Sequence, residues 1–305
     1  MAIFYLVAPT CRESVRARRI EPGQFMQDYL NEDWRSILAF NGLTDFESLW
    51  QLDAPWFEEP NQRRGGWSGV SRYQVNLPDG GTGAIFIKRQ ENHGTWSWLH
   101  PLRGIPTFYR EFGRIMNYVG KGVPTLVPVY FATRTVGKDQ RAILITEELT
   151  GYLSLEDRIQ SWLKDGAPSR LQRRRILKSV VVLLQGMHAH GIRHSCFFPK
   201  HVFVRLNIDG SVDARVIDLE KSRWRPSKTL CAMQDLYSLS SFSSCWSRSD
   251  QLWFLKEYLK IPRLTPYAKW LWRNIAARLA RKKRIVAQVR LVERPDAAER
   301  LSGPA

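Results

Sequence analysis

From about residue 65 to residue 150 the apolar positions recur mostly at the two-residue spacing of half-buried strands. Tyr73-Gln74-Val75-Asn76-Leu77 alternates, Pro78-Asp79-Gly80-Gly81 breaks the run as a hairpin turn, and Ala84-Ile85-Phe86-Ile87-Lys88 returns as the partner strand. A glycine-rich turn, Gly65-Gly66-Trp67-Ser68-Gly69-Val70, precedes this hairpin. A helix is expected over 107–119, closed by Gly120 and Gly122, followed by strands over 126–132 and 141–146. After Glu147 the period lengthens. Ser154 can cap a helix starting at Leu155, and Ile176, Val180, Leu183, Leu184 and Met187 mark a helix over 169–190 that Gly191 stops. Two short strands, 202–206 and 214–217, flank a turn at 207–210, and further helices are expected over 234–242, 249–259 and 266–286. Residues 1 to about 60 read as an extension, with a basic stretch from Arg12 to Arg19 and a short helix capped by a Thr44–Glu47 box. The last fifteen residues read as loose. The pattern is that of an α+β chain, strand-rich first and helical afterwards.

Charge narrows the partners. Forty-six Lys and Arg face 29 Asp and Glu, a formal net charge of +17 in 305 residues. Such a balance speaks to anionic partners: a membrane surface, a phosphorylated glycolipid, a nucleotide or nucleic acid. Aromatic residues scatter along the chain instead of interleaving with the basic ones, which disfavours nucleic acid. Met1 to Ala8 is apolar but lacks a basic leader and is cut short by Pro9, so export is not expected. No run approaches the ~20 apolar residues of a membrane-spanning helix. The cysteines, Cys11, Cys196, Cys231 and Cys245, show no metal-binding spacing and read as reduced thiols of a cytoplasmic protein. The basic, aromatic stretch 267–286 places Trp272, Ile275, Ala276 and Leu279 on one helical face, a pattern that suits an anionic membrane surface or packing on the body of the protein.

The candidate chemistry lies in the order of parts. Phosphoryl transfer needs backbone N–H groups over the phosphates, a cation on them, a carboxylate to hold that cation, and an acid for a metal ion. Gly66 and Gly69 lie in the glycine-rich segment, Lys88 ends an apolar strand, and Glu111 sits on the next helix within reach of Lys88. Asp218 leaves the apolar strand Arg215-Val216-Ile217. Between them runs Arg193-His194-Ser195-Cys196, with His201 five residues after Cys196. In a kinase catalytic loop His-Arg-Asp stands at the first of these places and a metal-binding Asn at the second. Asp235 is expected near the start of a helix. His188, His190, His194 and His201 do not read as a zinc site.

Three longer stretches carry a more specific likeness: 56–70 (WFEEPNQRRGGWSGV), 194–204 (HSCFFPKHVFV) and 216–225 (VIDLEKSRWR). On these the sequence resembles the lipopolysaccharide kinase (Kdo/WaaP) family of Gram-negative bacteria. The resemblance implies a protein-kinase-like bilobal fold, with an antiparallel-sheet N-lobe over 56–149 and a helical C-lobe over 150–290. It implies ATP and Mg2+ as cofactors, and phosphorylation of a heptose or Kdo of the lipopolysaccharide inner core at the cytoplasmic face of the inner membrane. By residue it makes Gly66, Gly69, Lys88 and Glu111 the ATP site and Asp218 and His201 the metal ligands. Cys196 takes the place of the catalytic acid and Asp235 braces the loop; His194 and Glu220 are the other candidate catalytic residues, His194 or a nearby Arg as the group that would lower the Cys196 pKa and Glu220 as an alternative base. Two functions follow: a kinase acting on a lipopolysaccharide core or another phosphorylated glycolipid, or a nucleotide-binding pseudokinase of regulatory or stress-response type.

Overall fold

The computed structural model describes residues 28–63, 65–97, 100–241 and 246–293. The basic stretch Arg12–Arg19, Cys11, Cys245 and the end of the expected tail, 294–305, lie outside the described residues.

The first half is one antiparallel sheet with helices on both faces. In chain order it comprises β1 (Tyr29–Leu30), α1 (Glu32–Phe40), α2 (Phe46–Gln51), β2 (Trp56–Arg63), β3 (Gly66–Asn76), β4 (Thr82–Glu91), a small hairpin of β5 (Gly94–Ser97) and β6 (His100–Pro106), α3 (Thr107–Gly120), β7 (Pro128–Val136) and β8 (Asp139–Glu147). The six sheet strands lie in the order β1-β7-β8-β4-β3-β2. Strand parity sorts the side chains. Ile85, Ile87, Ile143 and Ile145 face α1 and α2, where Trp34, Leu38, Phe46 and Leu49 close a core. Ala142 and Leu144, one step out of phase, join Phe108, Phe112 and Ile115 of α3 in a second core that continues into the other half of the molecule.

Two expectations change here. The segment read as an extension supplies, from residue 29 onward, a sheet strand and two packed helices. Its capping box also lies one residue later than expected. The Asp45 side chain accepts from Ser48 N at 2.8 Å while Ser48 Oγ accepts from Asp45 N at 3.3 Å. Aspartate caps better than threonine, and this start buries Phe46 and Leu49.

The second half is mainly helical: β9 (Leu153–Ser154), α4 (Leu155–Asp165), α5 (Arg170–Ala189), β10 (Ile192–Arg193), β11 (Val202–Leu206), β12 (Val212–Val216), β13 (Arg223–Trp224), α6 (Lys228–Ser240), α7 (Arg248–Leu259) and α8 (Pro266–Glu293). Ile176, Val180, Leu183, Leu184 and Met187 of α5 are buried at its centre. Helix α6 starts earlier than expected because Ser227 caps it, its side chain accepting from Leu230 N. The expected apolar face of α8 divides. Ala268, Leu271 and Ile275 are buried and Leu279 packs against the same core, whereas Trp272 is 38 % exposed, with Trp270 and Tyr267 also outside. Among the described residues no helix is long and apolar enough to cross a membrane.

Candidate active site

Lys88 and Glu111 meet because of two local facts. Lys88 lies on the α3 side of β4, opposite in parity to Ile85 and Ile87. Two residues on, the buried Gln90 shares that face and fixes the start of α3: its Oε1 accepts from Phe108 N at 3.0 Å and from Thr107 Oγ1 at 2.7 Å. Pro106, the residue before the helix, makes no side-chain cap, so Gln90 satisfies a donor the helix cannot. One turn further along, Glu111 Oε1 accepts from Lys88 Nζ at 2.5 Å, with side chains 16 % and 22 % exposed. Burial by itself would lower the lysine's pKa. The Glu111 carboxylate, with Glu58 and Asp218 adding, outweighs burial and leaves it above the ordinary lysine value. Lys88 therefore stays a cation through the neutral range. Gln90 and Glu58 were not read from the sequence; the parity of 88 and 90 on one strand was the available signal.

The glycine-rich segment is not a free turn. Gly66 and Gly69 lie within β3, next to the hairpin that joins it to β2. A Cβ on Gly66 would come within 2.0 Å of the Glu91 carbonyl oxygen, and one on Gly69 within 2.7 Å of the Trp56 ring. Both glycines are thus explained by strand and ring packing, beside the stretch of β4 from Lys88 to Glu91.

The loop from Arg193 to His201 hangs on one buried carboxylate. Asp235 sits inside α6, not near its start, and is fully buried. It accepts from His194 N and Ser195 N, both at 2.8 Å, and from His188 Nε2 at 3.1 Å. His188 Nδ1 in turn accepts from the Tyr258 hydroxyl at 2.7 Å, so this histidine is part of the frame. Ser195 is held at φ 72° and Asp218 at φ 58°, left-handed conformations rare outside glycine. Such strain persists only where surrounding bonds impose it, and here it turns the loop and the Asp218 carboxylate into one cleft.

His194 is fully buried, and both ring nitrogens are committed to the backbone. Nε2 donates to Ile217 O at 2.9 Å and Nδ1 accepts from Cys196 N at 3.3 Å. Burial, against the opposing Asp235 charge, lowers its pKa below the ordinary value. The expectation that His194 acts in catalysis, or activates Cys196 as an imidazolium, is therefore corrected: it is a neutral strut between the loop and the Asp218 strand. The Cys196 thiol is pushed up in pKa by burial first, with Lys221 opposing and Asp218, Asp235 and Glu220 adding. At neutral pH it is a thiol, not a thiolate. Glu220 is exposed, in the short turn after Asp218, within electrostatic reach of Cys196 and of Arg114.

His201 and Asp218 do converge. His201 Nδ1 donates to Cys196 O at 2.9 Å, and its Nε2 lies 3.3 Å from Asp218 Oδ2. Asp218 is 42 % exposed toward the cleft. An imidazole nitrogen and a carboxylate oxygen thus face each other beside the loop.

A paired lysine on a sheet, an acid leaving a strand, and a loop braced from a helix are the parts of this site. The model of the lipopolysaccharide kinase (Kdo/WaaP) family matches residues 47–258. The chain belongs to that family. Protein InaA of Escherichia coli K12 is 30% identical over 209 residues, covering 68% of this chain and 91% of InaA. Lipopolysaccharide core heptose(I) kinase WaaP of Escherichia coli is 29% identical over 167 residues, 50% of this chain and 60% of that enzyme. WaaP of Pseudomonas aeruginosa is 30% identical over a stretch of the same length, covering 59% of that enzyme. Among solved structures, WaaP in complex with acyl carrier protein superposes with a TM-score of 0.58 over 84% of this chain and 98% of that one, at 22% identity. This family member thus has the protein-kinase-like fold: a sheet lobe carrying Lys88 and Glu111, and a helical lobe carrying the loop and Asp218.

Proposed function

We propose that this chain transfers a phosphoryl group from ATP to a hydroxyl of a lipopolysaccharide inner-core sugar, heptose or Kdo, at the cytoplasmic face of the inner membrane. The Lys88–Glu111 pair carries this reading, because such a pair presents a fixed cation where a triphosphate would lie. Mg2+ held by Asp218 and His201 would neutralise phosphate charge. Lys88 adds a second positive charge. No carboxylate stands at Cys196 to take the acceptor's proton. The transition state of phosphoryl transfer is loose, so positioning and electrostatics carry most of the rate, and the missing base costs roughly 10²–10⁴-fold. The exposed Trp270 and Trp272 beside Lys269 and Arg273 fit contact with an anionic membrane. Failure to sediment with anionic vesicles at low salt would remove that part.

A second reading keeps nucleotide binding and drops transfer. The protonated Cys196 thiol favours it, and the chain would then be a regulatory or stress-response pseudokinase. Both readings require nucleotide binding. Mg-ATP at about 100 times Kd stabilises a protein by about 2.7 kcal/mol, for a chain of 305 residues a rise in Tm of roughly 4 °C. Asp218→Asn is expected to remove most of that rise. An unchanged wild-type Tm would overturn both. Phosphorylation of isolated core oligosaccharide by wild type, and not by Lys88→Ala, separates the first reading from the second.

A further inference from the structure

The strand that carries Lys88 departs from the protein-kinase pattern at one place. Where that pattern reads Val-Ala-Ile-Lys, this strand reads Ile85-Phe86-Ile87-Lys88, so a phenyl ring stands in place of a methyl group. Strand parity fixes where that ring lies. Ile85 and Ile87 point toward α1 and α2, and Arg89 donates to the Trp50 and Leu52 carbonyls on the same side. Phe86 and Lys88 therefore share the opposite face, the one that meets α3. Phe86 is half-buried there, directly across from the buried Thr146 of β8.

A second ring reaches the same face from the edge of the sheet. Strand β2 carries a bulge between Trp56 and Glu58, and bulges re-aim side chains beside active sites. Trp56 lies on the helix side, where the Arg89 guanidinium stands over its ring at 5.0 Å. Phe57, next along the chain, points the other way, and its ring meets Phe86 edge-on at 5.1 Å and 73°. Since β3 runs between β2 and β4, that contact passes over the face of the sheet. Phe57 is nevertheless 62 % exposed, so most of its ring stays open to the cleft. The patch has fixed ends. Lys88 lies two residues from Phe86, about 7 Å along the strand. Arg72, directly across from Phe86 on β3, is tied to Glu148 by two hydrogen bonds of 2.6 and 2.9 Å. What remains between these charges is an open aromatic surface.

We propose that the base of the bound nucleotide stacks on Phe57, with Phe86 as backing, and that these two rings set the place of the base in the cleft. The inference rests on the nucleotide-binding reading and holds for both the kinase and the regulator. A ribose and its first phosphate span about the length that separates Phe86 from Lys88, so a phosphate held by Lys88 carries its base onto the rings. A nucleobase is flat and apolar on its faces, and stacking on an aromatic side chain tolerates any base. The Phe86 ring also fills space that a methyl group leaves open, which keeps the base out toward Phe57 on the edge strand.

The test is titration calorimetry of the full chain with Mg-ATP and, separately, with Mg-tripolyphosphate, which carries the phosphates without ribose or base. Wild type is expected to bind Mg-ATP the more tightly. Phe57→Ala raises the Kd for Mg-ATP about tenfold and leaves that for Mg-tripolyphosphate unchanged. The tripolyphosphate arm thus also shows that the variant is folded around Lys88. Phe57→Tyr keeps both affinities, and Lys88→Ala weakens both. The proposal is overturned if Phe57→Ala binds Mg-ATP as tightly as wild type, or loses affinity for both ligands in equal proportion. A wild type that binds the two ligands equally tightly overturns the base site alone and leaves the phosphate site at Lys88. A wild type that binds neither overturns the nucleotide reading itself, and this inference with it.

Discussion

Replacing Asp235 by Asn tests whether one carboxylate holds the catalytic loop. The aspartate is fully buried and accepts three hydrogen bonds, through Oδ1 from Ser195 N and through Oδ2 from His194 N and His188 Nε2. Asparagine keeps the size but turns one acceptor into a donor. If the amide nitrogen takes the Oδ1 place, it faces the Ser195 N–H. If it takes the other, it faces two donors. At least one buried N–H then goes unpaired, at about 1–3 kcal/mol, and the surviving bonds lose their charge assistance, worth about 1 kcal/mol more. Removing a buried charge recovers part of its desolvation cost, which places the net loss near the lower end, about 2 kcal/mol. For a chain of 305 residues that is a drop in Tm of roughly 3 °C. The functional consequence is larger than the thermal one. Ser195 is held at φ 72° partly by this bond, so the loop relaxes and His201 leaves Asp218. Urea unfolding gives the stability difference, and the Tm rise with Mg-ATP gives the site's integrity. A loss below about 0.5 kcal/mol, with the nucleotide effect intact, would refute the reasoning, because that is the scatter of surface substitutions.

Two further outcomes are expected. Gly66→Ala places a Cβ 2.0 Å from the Glu91 carbonyl oxygen and should cost at least about 2 kcal/mol in urea unfolding, whereas Gly113→Ala on the open side of α3 should be neutral or gain about 0.5–1 kcal/mol; equal effects would refute the packing account of the glycine hairpin. His194 has a folded pKa below its ordinary 6.5, so the stability it carries is present above that value and is lost as pH falls through the folded pKa; the stability difference between wild type and His194→Gln should shrink between pH 7 and 5, and a constant difference would contradict its neutral buried role.

How much of this was legible in the sequence follows from how local each signal is. The β3–β4 hairpin could be read because Pro78-Asp79-Gly80-Gly81 sits between two alternating runs, and Gly80 N does donate to Leu77 O at 3.0 Å. Helix α5 could be read because its buried residues keep one period throughout. Lys88, Glu111 and Asp218 were found as a set because strand ends and helix starts fixed their order. Three-dimensional pairing was harder to see. Gln90 caps a helix that begins after an intervening hairpin, so no local cap signal pointed to it. Asp235 falls inside α6, not near its start, because Ser227 caps the helix earlier than its apolar period suggests. The chemical role that the position of His194 beside Cys196 suggests gives way to its two backbone bonds. The N-terminal helices α1 and α2 were read as an appendage because their apolar residues find partners only across the sheet, at Ile85, Ile87, Ile143 and Ile145.

The most direct test of the central claim is the mass of the lipopolysaccharide core oligosaccharide from cells lacking this chain, and from the same cells given back wild type or Lys88→Ala. The account predicts a core lighter by one phosphoryl group, about 80 Da, restored by wild type and not by Lys88→Ala. A core of unchanged mass in all strains would contradict transfer to the core and leave the nucleotide-binding regulator.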